Sequence, residues 1–147
     1  MGRVAEVLET IAAAAGVDAE VRVERVGEGL VAEFVGEELG VLIGRHGQTI
    51  DAIQHLAQRI AFHGSERRLA LVVDAAGYRE RRAATLHALA DQAAATAVRE
   101  RRPVALEPMS AQERKVVHEH LKGRSDVETY SEGQEPSRRL VVAPIGA

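Results

Sequence analysis

Gly40-Val41-Leu42-Ile43-Gly44-Arg45-His46-Gly47-Gln48-Thr49-Ile50 decides how the first half of this chain folds. The stretch sets Gly-x-x-Gly between two apolar runs that read as helices, a link short enough to make them meet at a tight corner. Its two glycines remove Cβ atoms where another backbone must come close. The first N–H groups of the second helix, near Gly47 and Gln48, lack intrahelical partners. The spacing predicts that they face outward, able to hold phosphate oxygens.

Upstream, Val4, Val7, Leu8, Ile11, Ala12 and Ala15 recur at helical spacing, and Gly16 stops the run. Ala19, Val21 and Val23 alternate with Glu20, Arg22 and Glu24 as in a half-buried strand, and Gly27-Glu28-Gly29 turns the chain into a second strand, Leu30 to Val35. A short helix is expected from Glu37 to Ile43. Ile50, Ile53, Leu56, Ala57 and Ile60 mark the next helix, which ends near His63-Gly64, and Arg68 to Val73 reads as a third strand. The order α-β-β-α-α-β resembles the bacterial (type II) KH module, whose GxxG loop clamps the backbone of about four nucleotides. An ordinary helix-turn-helix corner would use the glycines for packing alone. The position of the loop inside the α-β-β-α-α-β unit favours KH.

From Gly77 the pattern changes. Tyr78 to Arg102 reads as one long helix with Ala83, Leu86, Ala90, Ala93 and Ala97 inward, stopped by Pro103. Arg99, Arg101 and Arg102 fall in its last turn, where they complement the helix dipole. Val104-Ala105-Leu106 is a short strand, and Ser110-Ala111-Gln112-Glu113 is a capping box that starts a helix running to Leu121. Val127 to Tyr130 and Arg139 to Ala143 flank a turn and suggest a hairpin. The fold class is therefore α+β, with one module over 1–75 and a second over 76–147.

Composition narrows the function. The 147 residues are 46% apolar and 28% charged, as in a folded globular protein. Without cysteine there is neither a disulfide framework nor a thiolate metal site. No apolar run approaches a membrane span, and Met1 to Arg3 leads into an amphipathic helix rather than a signal peptide, so a cytoplasmic protein without membrane insertion is expected. Net charge is −3: residues 1–74 hold 7 Lys/Arg and 12 Asp/Glu, and residues 75–147 hold 12 and 10. Nucleic-acid binding would then be local and modest, helped by the second half. Phe34, Phe62, Tyr78 and Tyr130 are the whole aromatic complement, which disfavours modules that stack bases on aromatic platforms.

In the second module, Arg114 and His118 at i and i+4 share one helix face. Arg offers a planar fork of donors for phosphate, and His a further donor or a stacking face. A solvated helix face with an incidental His is the bland alternative. The preceding capping box and the following hairpin with Arg138 and Arg139 make the segment resemble the R3H domain, a single-stranded nucleic-acid-binding module. His118-Glu119-His120 lacks the spacing of a zinc motif, and no nucleophile triad or Walker-type loop is present. No catalysis, metal, cofactor or small-molecule substrate is expected.

With both motifs placed, the chain is similar to the Jag family, also called SpoIIIJ-associated proteins, KhpB or EloR, along nearly all its length. The densest segments are Leu39–Leu56, Asp74 to Arg82, Leu106 to His118 and Ser131 to Pro144. The resemblance implies a KH–R3H RNA-binding protein of the bacterial cytoplasm. Its implied partner is a small single-KH protein (KhpA-like), or a second copy through KH, and its implied role post-transcriptional control linked to cell elongation and envelope growth. Longer members carry a Jag domain and linker ahead of KH; this chain begins at the KH helix and is expected to be a short form. On this reading Gly44, Arg45, His46 and Gly47 hold the RNA backbone. Val41, Ile43 and Ile50 form an aliphatic wall for bases. Arg114 and His118 take a second stretch of phosphate, supported by Lys115, Arg138 and Arg139. The competing readings are a KH-mediated adaptor that touches RNA weakly and, with no supporting constellation, a nuclease using His118 and Glu119.

Overall fold

Val4, Leu8 and Ala12 lie on one stripe of helix α1 (Gly2–Ala14) and are buried in the computed structural model, which describes residues 1–146. Strands β1 (Glu20–Val26) and β2 (Gly29–Val35) follow as an antiparallel hairpin, in which Gly27 adopts φ 59° and Val26 opposes Gly29. Alternation in β2 buries Leu30, Ala32 and Phe34. Helix α2 (Gly40–Ile43), a 3-10 turn (Arg45–Gly47) and helix α3 (Gln48–Ala61) lead to β3 (Leu71–Ala75). The sheet order is β1-β2-β3, with β3 parallel to β2, and Leu71, Val73 and Ala75 join Ile50, Ile53 and Ala57 in the core.

In the first unit α2 and β3 both begin later than expected. Helix α2 starts at Gly40 rather than Glu37, with Leu39 buried as the residue that precedes it. Strand β3 is shifted from 68–73 to 71–75 because its pairing begins where β2 begins, with Leu71 opposite Leu30. Its outer edge is closed by side chains of α3. Gln58 donates to the Leu69 carbonyl (2.7 Å) and accepts from the Leu71 N–H (2.9 Å), while Gln54 accepts from the Val73 N–H (2.9 Å). A strand edge sealed this way has no free ladder to offer another chain.

The chain divides into two compact units, one ending at Glu80 and the other starting at Arg81, so the first turn of helix α4 (Tyr78–Glu100) belongs with the first unit. In the second unit Leu86, Ala90, Ala93 and Ala94 of α4 are buried with Val117 and Leu121 of helix α5 (Ala111–Leu121). Strands β4 (Val104–Ala105), β5 (Val127–Glu132) and β6 (Arg139–Pro144) form an antiparallel sheet in the order β4-β6-β5, and Leu140 to Ala143 of central β6 are all buried. Helix α4 ends at Glu100, short of the expected Arg102. Arg101 takes a left-handed φ of 55°, and the Arg102 N–H returns to the Ala97 carbonyl (3.2 Å), a Schellman-type stop. The Ser110 hydroxyl accepts from the Glu113 N–H (3.2 Å), as the capping box requires, but the Glu113 carboxylate does not close the box. It binds Arg82 at 2.6 Å.

Candidate nucleic-acid interface

The corner between α2 and α3 needs both of its glycines. Gly44 lies at φ 74° and ψ −179°, a region open essentially to glycine alone, and a Cβ there would come within 3.0 Å of the Thr49 backbone nitrogen. Gly47 lies at φ 76°, and its Cβ would strike the Tyr78 ring. Between them His46 is also left-handed, at φ 55°, a conformation His tolerates better than most residues. The result is a turn fixed from behind, with the Arg45 and His46 side chains exposed in front.

The backbone N–H groups at this corner are used differently from expectation. The Gly47 N–H is directed at the Gly44 carbonyl (3.4 Å), and the Gln48 N–H donates to the Arg45 carbonyl, so both are used inside the turn. The exposed side chains of Arg45 and His46 are donors that this corner does present. No ion pair engages Arg45 among the described residues. Val41 beside it is 64% exposed and Ile43 is half-buried, so both can offer aliphatic surface. Ile50 cannot: it is fully buried, and it supports the wall from within the core.

A second set of residues braces this corner. The Asp74 carboxylate accepts from the backbone N–H groups of Ala75 (2.8 Å) and Arg79 (3.2 Å), anchoring the start of α4. Arg79 then donates to the Val73 carbonyl (2.8 Å), to Asp51 (2.8 Å) and to Gln54 (3.0 Å). Asp51 lies in the first turn of α3, next to the GxxG loop, and Arg79 neutralises a carboxylate that would otherwise repel phosphate there. Nothing local in the sequence announces these contacts, since Arg79 is 28 residues from Asp51.

In the second unit the expected cluster separates into buried and exposed parts. Arg114 is only 8% exposed. Its guanidinium donates to the Met109 carbonyl (2.6 Å), the Arg138 carbonyl (3.4 Å) and the Glu135 carboxylate (2.7 Å), tying α5 to the β5–β6 connection. Its donors are spent internally, which corrects the expectation that it grips phosphate. The signal was present, because Arg114 stands at i, i+3 and i+7 with Val117 and Leu121 on the buried stripe of α5. Arg138 is half-exposed and donates to the Gly133 carbonyl at 2.6 Å within the β5–β6 connection. Lys115 and His118 are exposed and Arg139 half-exposed; neither Lys115 nor Arg139 has an ion-pair partner among the described residues. The His118 Nδ1 meets the Thr129 hydroxyl at 2.5 Å, which orients the ring.

His118 and His120 have different partners: the His120 Nε2 bonds Asp91 (2.9 Å) and its ring stacks on His87, centroids 4.1 Å apart. Among the described residues no three His, Asp or Glu side chains are grouped to hold a metal ion, and no helix is long and apolar enough to cross a membrane. Nearby, hydrogen bonding to Asp126 raises the Arg124 guanidinium above its ordinary pKa, and the same bond holds the Asp126 carboxyl below its own.

Comparison with known proteins agrees with both modules. The family described as the KhpA/KhpB KH domain matches residues 3–73, and the R3H domain family matches residues 84–144. The chain is 41% identical over 128 residues to the RNA-binding protein KhpB of Lactiplantibacillus plantarum, covering 87% of this chain and 40% of that protein. Against the RNA-binding protein KhpB of Clostridium symbiosum, identity is 38% over 108 residues (74% and 49% of the two chains). For that of Bacillus subtilis it is 33% over 138 residues (92% and 66%). The chain thus spans between 40% and 66% of the length of these three relatives. A KH unit with its GxxG corner, an R3H unit after it, and this similarity along both place the chain in the KhpB family of KH–R3H proteins.

Proposed function

We propose that this protein binds single-stranded RNA in the bacterial cytoplasm and performs no chemistry on it. The observation that carries the reading is the GxxG corner: Arg45 and His46 are exposed on a turn whose flanking glycines are backed by Thr49 and Tyr78. Such a turn presents charge to phosphate without first having to be ordered. Val41 and Ile43 supply the aliphatic surface beside it, and Lys115, His118 and Arg139 a second set of contacts. The relatives named as RNA-binding proteins support the same ligand.

The family resemblance extends this proposal to post-transcriptional control linked to cell elongation and envelope growth. The proposed partner is a small single-KH protein of the KhpA kind, or a second copy through KH. The adaptor reading keeps one specific observation in its favour: Leu56 and Ile60 are 48% and 40% exposed, one turn apart on α3. Titration of a single-stranded oligoribonucleotide at several salt concentrations separates the two. The GxxG corner and the second unit alone, at about three to five phosphate contacts, make log affinity fall with log salt at a slope of about −2 to −3.5, and further contacts steepen it. A slope near zero, or no binding, favours the adaptor.

A further inference from the structure

Arg3, Arg25, Arg59, Arg67 and Arg68 are five of the seven basic residues among the first 74 positions, and the structure gathers them away from the GxxG corner. Arg3, Arg25 and Arg67 line an open cleft of about 480 Å³ with Phe62 and His63. Arg3, Arg59 and Arg68 line an adjoining cleft of about 490 Å³ that shares Phe62 and His63. Although this half of the chain carries 12 acidic residues, none lines either cleft; Glu66 belongs to the same loop but lies outside both linings. None of the five arginines is ion-paired among the described residues, whereas Arg22 has Glu20 and Arg79 has Asp51. Like charges gathered without ion-pair partners repel one another, and a bound polyanion relieves that repulsion while releasing condensed counterions.

The place of the clefts suggests which polyanion. They lie at the C-terminal end of α3, beside Ala61 and Phe62, while the GxxG loop lies at its N-terminal end. Fourteen residues of helix separate the two ends, about 20 Å at 1.5 Å per residue. That is the length of about six nucleotides at a stacked spacing of 3.4 Å. We propose that these arginines and His63 form a second phosphate-binding surface, which takes the backbone of the same RNA strand held at the GxxG corner. The proposal rests on the RNA reading above. Guanidiniums on exposed helix, strand and loop positions grip phosphate without reading bases, so the surface adds affinity and footprint rather than sequence preference.

The test compares oligouridylates of four and twelve nucleotides on the intact chain. The wild type is expected to bind the longer one more tightly by about tenfold or more, with a steeper salt slope. In Arg59→Gln/Arg67→Gln/Arg68→Gln that advantage shrinks by about tenfold and the slope for the 12-mer becomes shallower by about 2, at 0.7 per phosphate. Binding of the 4-mer and the melting temperature stay as in the wild type. The triple lysine variant at the same positions restores most of the 12-mer affinity, which separates charge from packing. A triple glutamine variant that binds the 12-mer like wild type, with the same salt slope, overturns the second surface and leaves the RNA reading intact. A wild-type protein that binds neither oligonucleotide overturns the RNA reading itself.

Discussion

Tyr78 stands directly behind Gly47: a Cβ on that glycine would lie 2.6 Å from a carbon of the phenol ring and 2.8 Å from its oxygen. One residue from the start of α4 therefore fixes the conformation of the turn that begins α3. The contact links a loop whose sequence is easily noticed to a segment, Asp74 to Arg79, whose part in the site is visible only in three dimensions.

Gly47→Ala is expected to destabilise the protein by about 2–4 kcal/mol, combining a left-handed backbone at a residue with a Cβ and overpacking against the ring. Tyr78→Ala alone is expected to cost about 2 kcal/mol through lost packing. The double variant is expected to lose at least about 1 kcal/mol less than the sum of the two, since removing the ring relieves the clash. Urea unfolding of the four proteins measures this coupling; strict additivity would contradict it.

Arg114→Ala is expected to cost about 2–3 kcal/mol, because it leaves the carbonyls of Met109 and Arg138 without their donor. Glu135 is 58% exposed, so Glu135→Gln is expected to cost less than about 1 kcal/mol. Below its melting transition the Arg114→Ala protein should retain RNA affinity. Melting temperature and affinity on the same sample check both halves; normal stability with lost affinity would return Arg114 to the role its spacing first suggested.

Arg101→Gly is expected to stabilise the protein by about 1 kcal/mol. A glycine takes the left-handed position at the end of α4 without the penalty that Arg101 bears there. A higher urea midpoint with an unchanged slope is the expected result.

Reading the sequence went furthest where chemistry is local. The hairpin at Gly27, the GxxG corner, the Ser110 cap and the β5–β6 hairpin follow from turn residues and periodicity that neighbouring positions carry, whereas the parallel pairing of β3 with β2 and the place of β4 beside β6 do not. It fell short where a side chain is claimed by a distant partner. Helical spacing makes Arg114 look like a free donor because it shows which residues share a face, not which way that face points. Glu135, its partner, lies 21 residues downstream. Ile50 likewise keeps its place in the motif, but it is fully buried in the core rather than on the aliphatic surface the motif suggests. The N–H groups of Gly47 and Gln48 would have been free in a regular helix start; the intervening 3-10 turn consumes them.

The central claim is that the GxxG corner holds RNA through its two exposed side chains, and Arg45→Asp/His46→Asp tests it most directly. Asp accepts the left-handed conformation at position 46 about as well as His does, so the fold should survive, as the melting temperature will show. Placing two carboxylates where phosphates are held is expected to weaken binding of a single-stranded oligoribonucleotide by about tenfold or more, equivalent to about 1.4 kcal/mol or more. A folded double variant with wild-type RNA affinity would contradict the account.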